Sequence, residues 1–187
     1  MNIQEAKAIL EAVIFAAPEP ITLKECAGIL GVGEQTAELL IQQLEDDYRA
    51  QKRGLTLRRV AGGFQIATRP EYSEYVKLIG RAPKTQQLSQ AALECLAIVA
   101  YRQPITRVEI DEIRGVKSES PLQTLLEREL ITEVGRKDTV GRPVLFGTTK
   151  KFLEVFGLKD LDELPPLEDD AEMLLTLEPT PGINEPK

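Results

Sequence analysis

Histidine is absent from this sequence of 187 residues. That removes imidazole acid–base catalysis, Ser-His-Asp triads and histidine metal ligands together. Cysteine occurs only twice, as Cys26 and Cys95, each alone inside a helical pattern. Two such residues give neither a disulfide framework nor a metal pair, and the expectation for both is a small buried side chain. No G-x-x-x-x-G-K-[ST] loop occurs, and the G-x-G of Gly31-Val32-Gly33 meets Thr36 where a third glycine belongs, so neither nucleotide fingerprint is complete. The acidic run Glu168-Asp169-Asp170 lacks the spacing of a calcium loop and reads as solvated chain. Tryptophan is missing and aromatics make up 5%, so the core has to be built from Leu, Ile, Val and Ala. No apolar run approaches the ~20 residues that cross a bilayer, and MNIQEAKAIL is no secretory signal. The absences together predict a cytoplasmic chain with no catalytic centre, no cofactor, no metal and no membrane segment.

Charge is present in quantity but unevenly placed. The net charge is -7. Residues 1–84 hold 11 cationic and 11 acidic side chains, residues 85–157 hold 10 of each, and residues 158–187 hold 2 and 9. The acidic excess therefore belongs to the last stretch, and the two larger parts are balanced. A dedicated DNA binder carries a basic excess on its domain, since phosphate contacts supply much of the affinity.

One unit is written twice. Ile14-Phe15-Ala16-Ala17-Pro18-Glu19-Pro20-Ile21-Thr22 recurs, 84 residues on, as Ile98-Val99-Ala100-Tyr101-Arg102-Gln103-Pro104-Ile105-Thr106. The same offset places Glu25 on Glu109, Gly31 on Gly115 and Val32 on Val116. Thr-x-x-Glu is a capping box, Ile before the cap is one half of a hydrophobic staple, and the later glycine ends the short helix. Before it, Ala6, Leu10, Val13, Ile14 and Ala17 share one helical face. In the second copy the helix starts at Ser89, with Leu88 and Leu93 placed for a staple, and runs through Leu96, Ala97 and Ala100. A third helix follows through Ala37, Leu40, Ile41, Leu44 and Tyr48, and again through Leu122, Leu125 and Leu126.

The period then changes to two. Leu55–Val60, a Gly62-Gly63 turn and Phe64–Thr68 predict one hairpin; Ile131–Arg136 and Val144–Thr148, joined by a longer loop, predict another. Tyr72, Tyr75, Val76 and Ile79, then Phe152, Val155 and Phe156, predict closing helices. Three helices, a hairpin and a closing helix make a winged helix. The expected fold is α+β and mainly helical, with two tandem winged-helix (helix-turn-helix) domains carrying short β-hairpin wings. The expected boundaries are 1–80, a linker 81–88, 89–158, and an acidic, proline-rich, structureless tail 159–187.

The starts of both third helices are poor DNA readers. Glu34, Gln35, Thr36 and Glu38 stand at one and Ser118, Glu119, Ser120 and Gln123 at the other, with Lys117 the lone nearby cation. In the hairpins, Arg136, Lys137 and Arg142, with Arg58 and Arg59, admit two readings: weak phosphate contact, or a solvated surface that pairs with protein. Tyr72, Tyr75 and Leu39 likewise fit either the core or a groove for a partner helix.

Tyr101-Arg102-Gln103-Pro104-Ile105-Thr106-Arg107, Glu112-Ile113-Arg114-Gly115-Val116, Gly135–Pro143 (GRKDTVGRP), Thr124–Arg128 (TLLER) and Phe152–Leu158 (FLEVFGL) resemble the segregation and condensation protein B (ScpB) family, over roughly residues 5–165. At Glu129 the chain departs from a family that more often turns there on glycine. The resemblance implies a cytoplasmic, non-catalytic subunit that forms a homodimer largely through the first domain. It would bind the kleisin ScpA, and through it the SMC ATPase, in chromosome condensation and partition, with DNA touched weakly or indirectly. It directs attention to the second hairpin and the helix Thr106–Gly115, hence to Thr106, Arg107, Arg114, Arg136, Lys137 and Arg142, with Tyr72 and Tyr75 as groove candidates in the first copy. The competing expectation is a DNA-binding winged-helix transcriptional regulator; an unknown enzyme is a distant third.

Overall fold

A computed structural model describes residues 1–51, 53–79 and 87–167. Residues 81–86 of the expected linker, and the expected tail from 168 onward, lie outside the described residues. The chain divides into two compact units, 1–85 with 153–160 and 86–152 with 161–187. Each is mainly helical with one small antiparallel sheet.

The first unit runs α1 (Ile3–Ala16), β1 (Ile21–Thr22), α2 (Leu23–Leu30), α3 (Glu34–Ala50), β2 (Leu55–Val60), β3 (Gly63–Thr68), a 3₁₀ turn (Pro70–Tyr72) and α4 (Ser73–Lys77). Asn2 caps α1 with a capping box that the sequence reading overlooked. Thr22 caps α2 reciprocally with Glu25, and Gly31 ends that helix in the left-handed conformation. The Gly31 and Val32 amides turn back onto the carbonyls of Gly28 and Ala27, the bonding of a Schellman motif. Ala6, Leu10 and Ile14 of α1 meet Cys26 and Leu30 of α2 and the expected stripe of α3, Ala37 through Tyr48, all of it buried.

Two details differ from the sequence reading. Ile21 and Thr22 form a third strand, paired with Phe64 and Gly63, so the sheet order is β1-β3-β2. The hairpin turns on Ala61-Gly62 rather than Gly62-Gly63: both residues have positive φ, 51° and 72°, as a two-residue type I′ turn requires. Gly63 is released to the strand, where it pairs with Val60 on one side and Thr22 on the other.

The second unit repeats the plan as α5 (Gln90–Arg102), β4 (Ile105–Thr106), α6 (Arg107–Arg114), α7 (Glu119–Glu127), β5 (Ile131–Arg136), β6 (Val144–Thr148) and the start of α8 (Lys150–Phe156), whose residues from Leu153 on belong to the first unit. Ser89 caps α5, Thr106 and Glu109 form the second capping box, and Gly115 ends α6 with φ 69°. The sheet order β4-β6-β5 repeats that of the first unit. The core gathers Cys95, Leu96, Val99, Ile110, Leu122, Leu125, Ile131 and Phe152, while Ala97 and Leu93, expected inward, are exposed. Residues 159–167, expected to be structureless, hold a 3₁₀ turn (Leu161–Glu163) instead. Their regularly spaced Leu161, Leu164 and Leu167 line a shallow depression with Ala100 and Tyr101, and the Tyr101 hydroxyl donates to the Pro165 carbonyl at 2.6 Å.

The α7 end explains the departure at Glu129. Leu130 and Glu129 amides return to the carbonyls of Leu125 and Leu126, a second Schellman turn, and Glu129 stands at its left-handed position with φ 57°. A side chain there costs about 1–2 kcal/mol, and glycine gives back about 0.5–1 kcal/mol through chain entropy. Glu129→Gly is therefore expected to stabilise the second unit by about 0.5–1 kcal/mol, read as a rise in its urea midpoint. A fall would show that the glutamate makes a compensating contact.

Candidate protein-docking surfaces

The residues of α6 and the second hairpin are brought together, but they are used in different ways. Thr106 is buried. Its amide and hydroxyl both donate to Glu109 Oε2, at 2.9 and 2.7 Å, while the Glu109 amide donates to its Oγ1. Arg114 is equally committed, its side chain 8% exposed and held by Glu94 at 3.0 Å and by Ser118 Oγ at 3.0 Å. Both serve the fold, Thr106 by starting α6 and Arg114 by fastening its end to α5. Sequence spacing reveals the cap but not the burial of a guanidinium.

Lys137 reaches across from the hairpin to Glu109 Oε1 at 2.6 Å. Burial raises the pKa of the Glu109 carboxyl, but hydrogen bonds from Lys137 and from Thr106 outweigh it and hold it at about 2. One carboxylate thus closes the helix cap with one oxygen and ties the hairpin to α6 with the other. Because its folded pKa lies below the ordinary 4.5, the stability it contributes is complete above pH 4.5 and is lost as pH falls towards 2. Its side chain is 36% exposed, so solvent screening reduces the contribution to about 1 kcal/mol. Glu109→Gln should flatten the acid limb of a stability–pH curve for the second unit by that amount. An unchanged limb would remove Glu109 from the acid response.

Arg107, Arg136 and Arg142 remain at the surface. Arg107 opens α6; Arg136 ends β5 and donates to the Arg142 carbonyl at 3.2 Å; Arg142 sits in the loop with φ 41°. The three line an open cleft of about 340 Å³ with Val108, Pro143, Val144 and Phe146. The floor is apolar and the rim cationic. On this rim Arg107 pairs with Glu119 at 3.8 Å, between two exposed side chains, an arrangement worth little. Such a site suits an acidic segment bearing apolar side chains.

In the first unit Tyr72 and Tyr75 are exposed, which settles the alternative between core and surface. Tyr75 is 71% exposed, and Val76, Leu78 and Ile79 continue the strip. Leu39 projects from α3 in the same exposed state. Beside Leu39, α3 presents Glu34 and Asp46 to solvent, and Arg59 is drawn to Glu38 at 2.7 Å and Glu45 at 3.2 Å. A helix with that acidic surface repels phosphate. Both cysteines are fully buried, and burial pushes each thiol's pKa up, the opposite of an activated nucleophile. No helix among the described residues is long and apolar enough to cross a membrane, and none of them form a cluster of three or more possible metal ligands.

The family model of the segregation and condensation complex subunit ScpB matches residues 8–167. The chain belongs to that family. A segregation and condensation protein B of Geobacillus thermodenitrificans is 55% identical over 172 residues, covering 90% of this chain and 82% of the relative. That of Symbiobacterium thermophilum is 54% identical over 165 residues, covering 88% and 75%. Among solved structures, ScpB from Mycobacterium tuberculosis is 35% identical with a TM-score of 0.42, covering 84% of this chain and 98% of that one. A dimer of the ScpB N-terminal domain complexed with ScpA peptide is 37% identical with a TM-score of 0.40, covering 41% and 96%. The ScpB match takes in the candidate cleft and the exposed strip alike, and it makes the chain a subunit of a segregation and condensation complex.

Proposed function

We propose that the chain is a non-catalytic adaptor of the SMC–kleisin complex: a cytoplasmic homodimer that binds the kleisin ScpA and, through it, the SMC ATPase. Each unit is read as a winged helix, with 1–80 and 89–158 as the working domains and the Tyr75–Ile79 strip of the first as the contact with a second copy. One contact with ScpA is assigned to the second unit, where Arg107, Arg136 and Arg142 would meet its acidic side chains above the floor of Val108, Val144 and Phe146. Lys137 supports that cleft through Glu109, and Thr106 and Arg114 hold α6 in place.

The observation that carries this reading is the family match over residues 8–167. The absence of histidine and the acidic third helix support an adaptor over an enzyme or a DNA regulator. The test is an affinity pull-down from nuclease-treated native lysate with wild type and with the double variant Arg107→Glu/Arg142→Glu. Wild type should recover ScpA with SMC, and the variant should bind purified ScpA at least tenfold more weakly. Recovery of neither, with a specific DNA fragment captured when nuclease is omitted, would replace the adaptor with the regulator.

A further inference from the structure

The cleft has a second candidate occupant in the chain itself. The three guanidinium groups at its rim have no acidic group among the residues lining it. The matching charge lies further along the same chain: residues 158–187 hold nine acidic side chains against two cations. Within that stretch Met173-Leu174-Leu175 and Leu177 form an apolar run, flanked by Glu168, Asp169, Asp170 and Glu172 before it and Glu178 after it. Acidic flanks around an apolar centre reproduce, with opposite sign, a cationic rim around an apolar floor.

The covalent path is also short enough. The Tyr101 hydroxyl holds the Pro165 carbonyl at 2.6 Å. Four residues beyond Tyr101, Ile105 pairs with Phe146, which is part of the cleft floor. Four residues span at most about 14 Å, the tyrosine side chain with its hydrogen bond adds about 9 Å, and neighbouring strands lie about 5 Å apart, so anchor and floor are within about 28 Å. The ten residues 168–177, which end on the apolar run, reach about 33 Å when extended. A tether of that length keeps its end at a millimolar effective concentration over the cleft.

We propose that the acidic segment Glu168–Glu178 docks in its own chain's Arg107–Arg136–Arg142 cleft and competes there with the incoming partner. The docking stands on charge, floor and tether; the competition rests on the assignment of ScpA to the same cleft. A partner then meets a site that is free only part of the time, and its apparent affinity falls by that fraction.

The test uses the full chain. Cys26 and Cys95 are fully buried, so a spin label on Leu175→Cys goes to the new thiol alone. Nuclear magnetic resonance of the labelled chain at low salt should show Gly141 and Val144 amides broadened, with the effect lost at high salt and in Arg107→Glu/Arg142→Glu. Unbroadened amides at low salt would overturn the docking, whatever ScpA does. Broadening that appears only when labelled and unlabelled chains are mixed would overturn the assignment to the same chain. Neutralising the segment (Glu168→Gln, Asp169→Asn, Asp170→Asn, Glu172→Gln) should raise affinity for ScpA about threefold to tenfold. Broadening without any change in ScpA affinity would overturn the competition and place ScpA elsewhere, leaving the docking intact.

Discussion

Gly63→Ala is expected to destabilise the first unit by about 3 kcal/mol, although it adds one methyl group in a backbone conformation open to any residue. A Cβ at this position would stand 2.8 Å from the Ile21 carbonyl oxygen and 2.9 Å from the carbonyl carbon and oxygen of Pro20. All three are backbone atoms of Pro20 and Ile21, where the chain enters the strand that brings Thr22 to the start of α2. Relief requires β1 to move off β3, which pulls on the capping box as well as the sheet. Gly147 in the other sheet supplies the comparison. There the contacts are side-chain atoms, Val134 at 2.9 Å and Gln103 Oε1 at 3.0 Å. Val134 is exposed and can turn, while Gln103 must give up its bond from the Thr148 amide, so Gly147→Ala should cost about 2 kcal/mol, less than Gly63→Ala. Hydrogen exchange resolves the units separately. Loss of protection should appear at Thr22, Glu25 and Phe64 with the second unit unaffected. Equal costs at the two glycines would mean that β1 moves as freely as a side chain.

The fold was readable where a local rule fixes it. Thr22-x-x-Glu25 and Thr106-x-x-Glu109 announced helix starts, Gly31 and Gly115 their ends, and the α3 stripe its buried face, because caps and periodicity act within a few residues. Contacts between distant segments were not readable in that way. The third strand of each sheet is two residues long, and no pattern of alternation exists over two residues. Its pairing shows that Phe64 and Phe146 are equivalent, Phe64 facing Ile21 and Phe146 facing Ile105. Their spacing is 82 rather than 84, so a search at one offset passes over them.

The same division runs through the candidate surface. Arg136 and Arg142 were found as hairpin charges and Arg107 through the family resemblance, and their grouping over an apolar floor needed the hairpin folded against α6. Lys137 was identified as a surface cation and turned out to be the clasp of that hairpin, since its partner Glu109 was already assigned to the cap. Thr106 and Arg114 were expected to meet a partner and meet the fold instead. Sequence gives the charge of a side chain and not its burial.

The largest electrostatic consequence concerns Lys7, a residue the helical stripe of α1 should have exposed as unusual. It lies one turn before Leu10 and Glu11, faces inward, and is 8% exposed, with Asp47 Oδ2 of α3 at 2.5 Å. Removing a charge from water is repaid only while its counter-charge is present. Asp47→Ala should therefore cost about 2–3 kcal/mol, reduced from the fully buried range because Asp47 itself is 44% exposed and water reaches it. Lys7→Met should be neutral or stabilising by about 1 kcal/mol, as an apolar side chain of similar length replaces the charge. The double variant should behave like Lys7→Met alone, since with no buried ammonium there is nothing for Asp47 to compensate. Urea unfolding of the four proteins gives the coupling directly. Additive effects would show that Lys7 keeps enough water to stand alone, and the pair would then be a surface contact that merely looks enclosed. Strong coupling would place the junction of α1 with α3 under electrostatic control, beside Glu11 and Tyr48, whose hydroxyl donates to Glu11 at 2.6 Å. Burial and that neighbouring carboxylate raise the Tyr48 pKa to about 12, so the phenol stays protonated and goes on donating through the neutral and mildly alkaline range.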